Sequence, residues 1–371
     1  MLTTRLTSLL GISKPVILPG MSWISTPQLV AAVSNAGGLG ILATGPLSPE
    51  ETRASIDKIR ELAPGKPFGI GCTLLMPGAK ENAEIALEME VPVINISLGK
   101  GDWICKRAQS YGGKVIATVV NEKHARSAKD FGADALMLTG HEAAAHGGDV
   151  TTLALVQSLS ANKYLQDMPL IACGGIGDGR GLAAMLALGA DGVAMGSRLA
   201  VTQDSPLHEN SKHLIVNSTE EDTIYGSNFD GLGARILKTD QAEKSMKYKM
   251  DPFTASIEAF RAAKLIKMPL WKVIPGLLTQ WKQMYQLALF GAATPKLMAS
   301  TIDGDMEKGV QFVGQSQGVI NDIPSVDDLL ERVIEEAIQS HTRLGDVIQY
   351  QKVAAPQVQH QYVSEKAPQY V

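Results

Sequence analysis

The sequence predicts an α/β protein, a TIM-type (β/α)8 barrel with a C-terminal, mainly helical cap. Three observations carry that expectation. Short apolar, β-rich runs alternate with amphipathic helical stretches from Pro15 to Met195. The runs are continuously apolar, as parallel strands covered on both faces require. Glycine-rich turns follow the seventh and eighth runs, where barrels of this type bind phosphate.

The expected strands are PVILP (15–19), LGILA (39–43), FGIGC (68–72), PVINI (92–96), KVIAT (114–118), DALML (134–138), PLIAC (169–173) and DGVAM (191–195). Helical stretches fall between them: PQLVAAVSNAG, PEETRASIDKIREL, KENAEIALEM, WICKRAQSYG, EKHARSAKDFG, TTLALVQSLS and GRGLAAMLALG. Several end in glycine, which closes a helix in the left-handed conformation that other residues avoid. The competing arrangement is a doubly wound sheet, whose nucleotide turn reads G-x-G-x-x-G. Here GGIGDGRG supplies Gly175 and Gly177 but places Arg180 third, and no G-x-x-x-x-G-K-[ST] occurs. The barrel is the better fit.

After about residue 205 the alternation stops. DPFTASIEAFRAAKLI, LWKVIPGLLTQWKQMYQLALF and SVDDLLERVIEEAIQSHTRL read as helices, with the glycine-rich MEKGVQFVGQSQGVIND among them. The expected division is a barrel over 1–235, a helical cap covering the substrate over 236–348, and a flexible tail over 349–371. The tail is polar and without period; it suits a free end or an arm laid on a partner subunit of a homodimer.

Composition narrows the function classes. The 371 residues are 45% hydrophobic and 19% charged with net charge −4, so no basic stripe marks a nucleic-acid partner. Three scattered cysteines, Cys72, Cys105 and Cys173, form no disulfide framework and suit a reducing cytoplasm. The opening MLTTRLTSLLGISKP lacks a sustained apolar run, and lysines and Pro275 break the most apolar later stretch. A soluble cytoplasmic protein with no membrane partner is expected.

HEAAAH (141–146) is one residue away from the zinc signature H-E-x-x-H. Its histidines are five apart, not four, which on a helix separates them by roughly 140°. No metal site is expected from it.

The turns after the strands supply a more consistent site. CGGIGDGRG follows strand seven and MGSRL follows strand eight. Gly174, Gly175 and Gly196, next to Cys173 and Met195, free backbone N–H groups, and the Ser197 hydroxyl adds a donor; together they suit an anion. Gly20, Met21 and Ser22 after strand one are small enough to admit a flat ring. Cys72 and Thr73 follow strand three. HEAAAHGGDV follows strand six, so His146 reaches the same rim among Ala143, Ala144, Ala145, Gly147 and Gly148, as a proton donor, base or anion-orienting group. Glu142 either orients His146 or holds a backbone amide. Asp149 reads as the N-cap of a helix starting at Val150. Asp178 and Arg180 read as a turn and a surface pair. A nucleophilic pairing of Cys72 or Cys173 with His146 stays open on residue type alone.

PGMSWIS, SNAGGLGIL, KPFGIG, GHEAAAHGG and ACGGIGDGRGLAAMLALGADGVAMGSR, in that order, resemble the nitronate monooxygenase (2-nitropropane dioxygenase) family over about residues 1–235. Flavin-dependent enoyl-acyl carrier protein reductases and NADH:quinone reductases are its close relatives. The resemblance implies FMN held without a covalent bond. It implies a flavin phosphate on Gly174, Gly175, Gly196 and Ser197, and a ring against Gly20, Met21 and Ser22 with Gly71, Thr118 and Ala145 near its edges. The family's E-A-G-G-H motif becomes Glu142 to His146, so its active-site histidine carries over to His146. Two features depart from the pattern. Gly71 stands where asparagine is common, and Ala144 and Ala145 replace glycines. The resemblance implies oxidation of small alkyl nitronates with O2 to a carbonyl compound and nitrite. Its rivals are an NAD(P)H-dependent reductase of enoyl thioesters or quinones, and a catalytically silent FMN-binding module.

Overall fold

The chain enters through α1 (Arg5–Leu10), β1 (Val16–Leu18), α2 (Pro27–Asn35), β2 (Leu39–Ala43), α3 (Pro49–Leu62) and β3 (Gly69–Thr73). It continues through α4 (Ala79–Glu88), β4 (Val93–Ser97), α5 (Asp102–Ser110), β5 (Lys114–Val119), α6 (Glu122–Asp130) and β6 (Ala135–Thr139). Then come α7 (Thr152–Ser160), β7 (Leu170–Cys173), α8 (Gly179–Ala187) and β8 (Gly192–Ala194), and the eight parallel strands close into a barrel in chain order. This computed structural model describes residues 2–76, 78–144, 146–265 and 281–348. The barrel is the predicted one. Thr73, expected just after the third strand, is the last residue of β3, directly following Cys72.

Local chemistry sets the helix starts. Ser48 caps α3 in a reciprocal box with Glu51, and Pro49 fills the first turn, where no N–H partner is needed. Asp178 caps α8 by accepting from the Gly181 N–H. Its other oxygen accepts from Arg180 at 2.7 Å, the expected turn and surface pair. The expected cap of α7 is corrected: Thr151 does that work, not Asp149. The preceding residues are used in a turn, because the His141 N–H donates to the Val150 carbonyl and closes the neck of the loop.

The barrel interior is graded from bottom to top. Ile17, Leu39, Ile41, Val93, Ile116, Ala135 and Ile171 pack inside it with Leu6, Leu10 and Ile12, so α1 and the turn after it plug the bottom. Arg5 fastens the plug by donating to both oxygens of Asp191, at 2.9 and 2.7 Å. Strand side chains alternate, so the same inward rows continue upward through Ala43, Gly71, Asn95, Thr118, Thr139 and Cys173. The upper layer is therefore small or polar. It leaves the mouth open where the lower layers are filled.

Beyond the barrel come α9 (Gly196–Ala200), α10 (Glu209–Val216) and an antiparallel hairpin of β9 (Thr223–Gly226) and β10 (Ala234–Leu237). The expected boundary at residue 235 falls inside β10, so a paired ribbon, not a linker, leads out of the barrel. There follow α11 (Asp240–Lys247), α12 (Pro252–Leu265), α13 (Trp281–Met298) and α14 (Val326–Val347). The expected tail lies outside the described residues, as does the part of the cap between α12 and α13. No described helix is long and apolar enough to cross a membrane. Helix α14 packs against α8 and α2. There it buries Leu329, Leu330, Val333 and Ile334 in the barrel's outer core. It completes the outer ring that α9, only five residues long, leaves unfilled after β8.

Gly179 is the contact point of that seam. A Cβ there would lie 2.2 Å from the Val333 carbonyl oxygen and 2.6 Å from the Ala337 nitrogen. Its own N–H donates to Glu336. Gly179→Ala is expected to lower stability by about 2–3 kcal/mol through overpacking, read as a shift of the urea midpoint at unchanged slope. An unchanged midpoint would mean that α14 is not seated as described.

Candidate active site at the barrel mouth

The floor of the site is bare backbone. A Cβ placed on Gly20 would meet nothing closer than 3.6 Å, and its neighbours would be Ala43, Leu42 and Gly71. Packing inside the protein therefore does not demand glycine at that position. A side chain there would fill the mouth itself, which is what a flat group lying on the strand ends would forbid. Gly71 stands beside it, and its carbonyl accepts from the Thr44 hydroxyl at 2.7 Å. On the far wall Asn95 donates to the Ile116 carbonyl and to the Thr118 hydroxyl, both at 3.0 Å. Met21 reaches toward the β8 turn, where a Cβ on Gly196 would lie 3.4 Å from its sulfur. Ser22 is exposed and faces Gly45.

One end of the floor gathers N–H groups that lack acceptors among the described residues. Gly174 and Gly175 take φ of +112° and +73°, and their N–H groups have no acceptor among the described residues. Helix α9 begins at Gly196 without a side-chain cap, which leaves first-turn N–H groups free. The Ser197 hydroxyl accepts from the Gly314 N–H at 2.9 Å, so its own proton remains available to a ligand. Met195 and Cys173 contribute only position. The Met195 side chain is buried in the outer core, and Cys173 faces the interior beside Thr139. Next to Ser197, the buried Arg198 donates to the Asp322 carboxylate at 3.0 Å and to the Val201 carbonyl at 2.7 Å. This pins the turn to the strap that precedes α14. Desolvation pushes the Arg198 pKa down, and the Asp322 charge opposes that shift.

The loop after β6 carries the titratable group. His146 Nε2 lies 2.8 Å from Asp230 Oδ2, and the Asp230 side chain is 3% exposed. A carboxylate only accepts, so Nε2–H is the donor, and in the neutral imidazole Nδ1 then carries the lone pair. Nδ1 has no partner among the described residues. The other Asp230 oxygen accepts from the Leu232 N–H at 3.1 Å, which holds the carboxylate still. The His146 ring is thus oriented from behind by Asp230.

Glu142 does not touch His146. Its carboxylate accepts from the Thr152 N–H at 2.7 Å and hydroxyl at 3.0 Å, so it holds a backbone amide at the start of α7. His141 closes the loop: its Nδ1 lies 3.1 Å from the Gly148 carbonyl oxygen, and its ring packs 4.3 Å from Tyr225. Arg235 donates to the His141 carbonyl from the hairpin, and Tyr225 donates to the Gly147 carbonyl. Gly147 and Gly148 are needed for close approach, since a Cβ would lie 2.5 Å from the Gly140 oxygen and 3.0 Å from the Val120 side chain respectively. Ala145 lies outside the described residues.

Sequence reasoning missed Asp230, Tyr225, Arg235, Asn95 and Phe312. Four of these belong to the segments after the barrel, and no spacing rule links residue 230 to residue 146. Asn95 was open to discovery, as a polar residue on the inward row of an otherwise apolar strand. The strap also went unseen. The Gln315 N–H donates to the Glu142 carbonyl at 2.9 Å, and a Cβ on Gly314 would lie 2.8 Å from that same oxygen. That close approach accounts for one glycine of GQSQG.

The cysteines do not supply a nucleophile. Cys72 points into the outer core, away from the mouth, and burial pushes its thiol up to about 12. Cys173 is raised to about 11 by desolvation. Near neutrality both remain protonated, and the thiol is a far weaker nucleophile than the thiolate. Ellman's reagent at pH 8 is expected to leave both unlabelled in the folded protein and to titrate them after unfolding in urea. Fast labelling of Cys173 in the native state would reopen a Cys–His pairing.

Comparisons with known proteins place the chain in a family. The family model described as nitronate monooxygenase matches residues 3–336. A CoA-ester dehydrogenase of Mycobacterium tuberculosis, named for a (3aS,4S,5R,7aS)-5-hydroxy-7a-methyl-1-oxo-octahydro-1H-indene-4-carboxyl-CoA, is 34% identical over 91% of this chain and 96% of its own. A probable nitronate monooxygenase of Staphylococcus aureus is 31% identical over 67% of this chain and 81% of its own. The structure of FabK from Thermotoga maritima superposes with a TM-score of 0.76 at 32% identity, over 94% of this chain and 100% of that one. A nitroalkane oxidase from Streptomyces ansochromogenes, 22% identical over 91% of this chain and 99% of its own, shares the fold with a TM-score of 0.71. With its barrel, its mouth and a match over most of its length, this chain is an oxidoreductase of the nitronate monooxygenase family.

Proposed function

We propose that the protein is an FMN-dependent oxidoreductase that dehydrogenates an acyl-CoA thioester, with His146 as the base. The observation that carries this reading is the His146–Asp230 pair, which leaves a lone-pair nitrogen at the rim of a cleared, anion-ready floor. The residues present fit the cofactor. Gly174, Gly175, Gly196 and Ser197 would hold its phosphate, and Gly20, Met21, Gly71 and Thr118 would border its ring. Bound FMN would supply a two-electron acceptor.

His146 Nδ1 takes the proton from the carbon next to the thioester carbonyl, the most acidic C–H of such a substrate. A hydride leaves the neighbouring carbon, and a C=C bond forms between the two. Asp230 keeps the ring in the tautomer that accepts at Nδ1, and its buried charge balances the imidazolium that results. The thioester is favoured by the 34% identity to CoA-ester dehydrogenases, which extends across 91% of the chain and so includes the region beyond the barrel. A second reading, nitronate oxidation, is favoured by the family model. It would use the same histidine on the carbon next to a nitro group, with molecular oxygen as co-substrate.

Anaerobic mixing of the yellow protein with cyclohexanecarboxyl-CoA, propionate 3-nitronate, NADH or NADPH separates the readings through the flavin spectrum. Bleaching by the thioester is expected. A response to the nitronate alone would replace this reading by the second, and fast bleaching by NAD(P)H alone would make the protein a reductase. A colourless protein that cannot take up FMN would overturn all three.

His146→Ala is expected to lower turnover at least about 100-fold with flavin retained. Asp230→Asn is expected to lower kcat about tenfold or more and to alter its pH profile, since the amide fixes the ring without balancing its charge. Unchanged kcat in both variants would remove the pair from the chemistry.

A further inference from the structure

Beside His146 lies a group of aromatic residues that the proton chemistry does not use. Phe312 sits in the strap, bridged to Ile236 of β10, with its ring 6.2 Å from the His146 ring and at 64° to it. Phe229, next to Asp230 in the chain, lies edge-on to Phe312 at 5.8 Å. Trp23 follows the Gly20–Met21–Ser22 turn and packs on the same cluster, which buries Phe229, Ile236, Ala293, Leu297 and Val310. The buried members fill the space behind, while Trp23 and Phe312 stay partly exposed at the rim.

Trp23 also has a φ of +62°. That is the left-handed region, which a bulky side chain enters only when its surroundings hold it there. Phe312 keeps part of its surface exposed beside the His146 ring, and Trp23 does the same just after the Gly20–Met21–Ser22 turn. A ligand seated at the mouth would cover both.

We propose that Trp23 and Phe312 form a substrate niche for an apolar ring, holding a carbocycle against their faces while its activated carbon meets His146. The site then selects carbocyclic substrates over short linear ones. The inference rests on the proposed thioester only for the group that carries the ring. Phe229 braces Phe312 from behind. It acts through its neighbour and is a positioning residue.

The test uses ligands that the enzyme cannot dehydrogenate. Calorimetric titration of the flavin-loaded protein would compare benzoyl-CoA with acetyl-CoA, and nitrobenzene with nitromethane. Covering the rim with a ring is expected to favour the aromatic member of each pair by about tenfold or more. Phe312→Ala should reduce that preference to about threefold or less, and the gentler Phe312→Leu should leave it in between, both with flavin content and acetyl-CoA affinity unchanged. A ring preference in the nitro pair, with neither thioester bound, would sustain the niche and remove the thioester. Equal affinities within both pairs, or a preference that survives Phe312→Ala in a flavin-loaded protein, would overturn the niche.

Discussion

A closed parallel barrel must fill its own interior, and the rest of this structure depends on how unevenly it does so. The lower layers are packed with Ile17, Ile41, Val93, Ile116 and Ile171, and α1 seals the bottom with Leu6 and Leu10. The upper layer is reduced to Ala43, Gly71, Asn95, Thr118, Thr139 and Cys173. Burial below provides the stability, because apolar area removed from water is the dominant favourable term. The bare layer above provides the room for function. A site at the C-terminal ends of the strands follows from that division.

The mouth is then finished by chain from outside the barrel. The β9–β10 hairpin delivers Tyr225, Asp230 and Arg235 to the loop after β6, and the strap delivers Gly314, Gln315 and Phe312. Each contact lands on a backbone carbonyl or on a side chain of the mouth itself. The His146 loop is held at His141, Gly147 and Gly148 while His146 keeps one nitrogen free. This arrangement fixes the His146 ring on a loop built of small residues. It also explains why the region after the barrel cannot be treated as a detachable lid.

The family's two departures from its common pattern acquire physical content here. Glycine at 71 opens the floor, because its place on the inward row beside Gly20 would bring any side chain into the mouth. Asn95, one strand further round, lines the same layer and already donates to Thr118. An inward-facing amide is thus present, although on a different strand. At Ala144 the strap approaches the loop's backbone through Gly314, where a Cβ would lie 3.1 Å from the Ala144 nitrogen.

The sequence by itself determined the eight strands, their order, and the turns that gather at one end. Those depend on local periodicity, on glycine at the ends of helices, and on the rule that parallel strands need crossovers. It also placed His146 in the loop after the sixth strand, among alanines and glycines. Only the tertiary structure decided which group orients that histidine. Asp230 is 84 residues away, the hairpin that carries it has no recognisable spacing to the loop, and α14 packs on α2 and α8 from the far end of the chain. Partners that meet across a closed barrel are chosen by three-dimensional packing, and no local pattern in the chain records the choice.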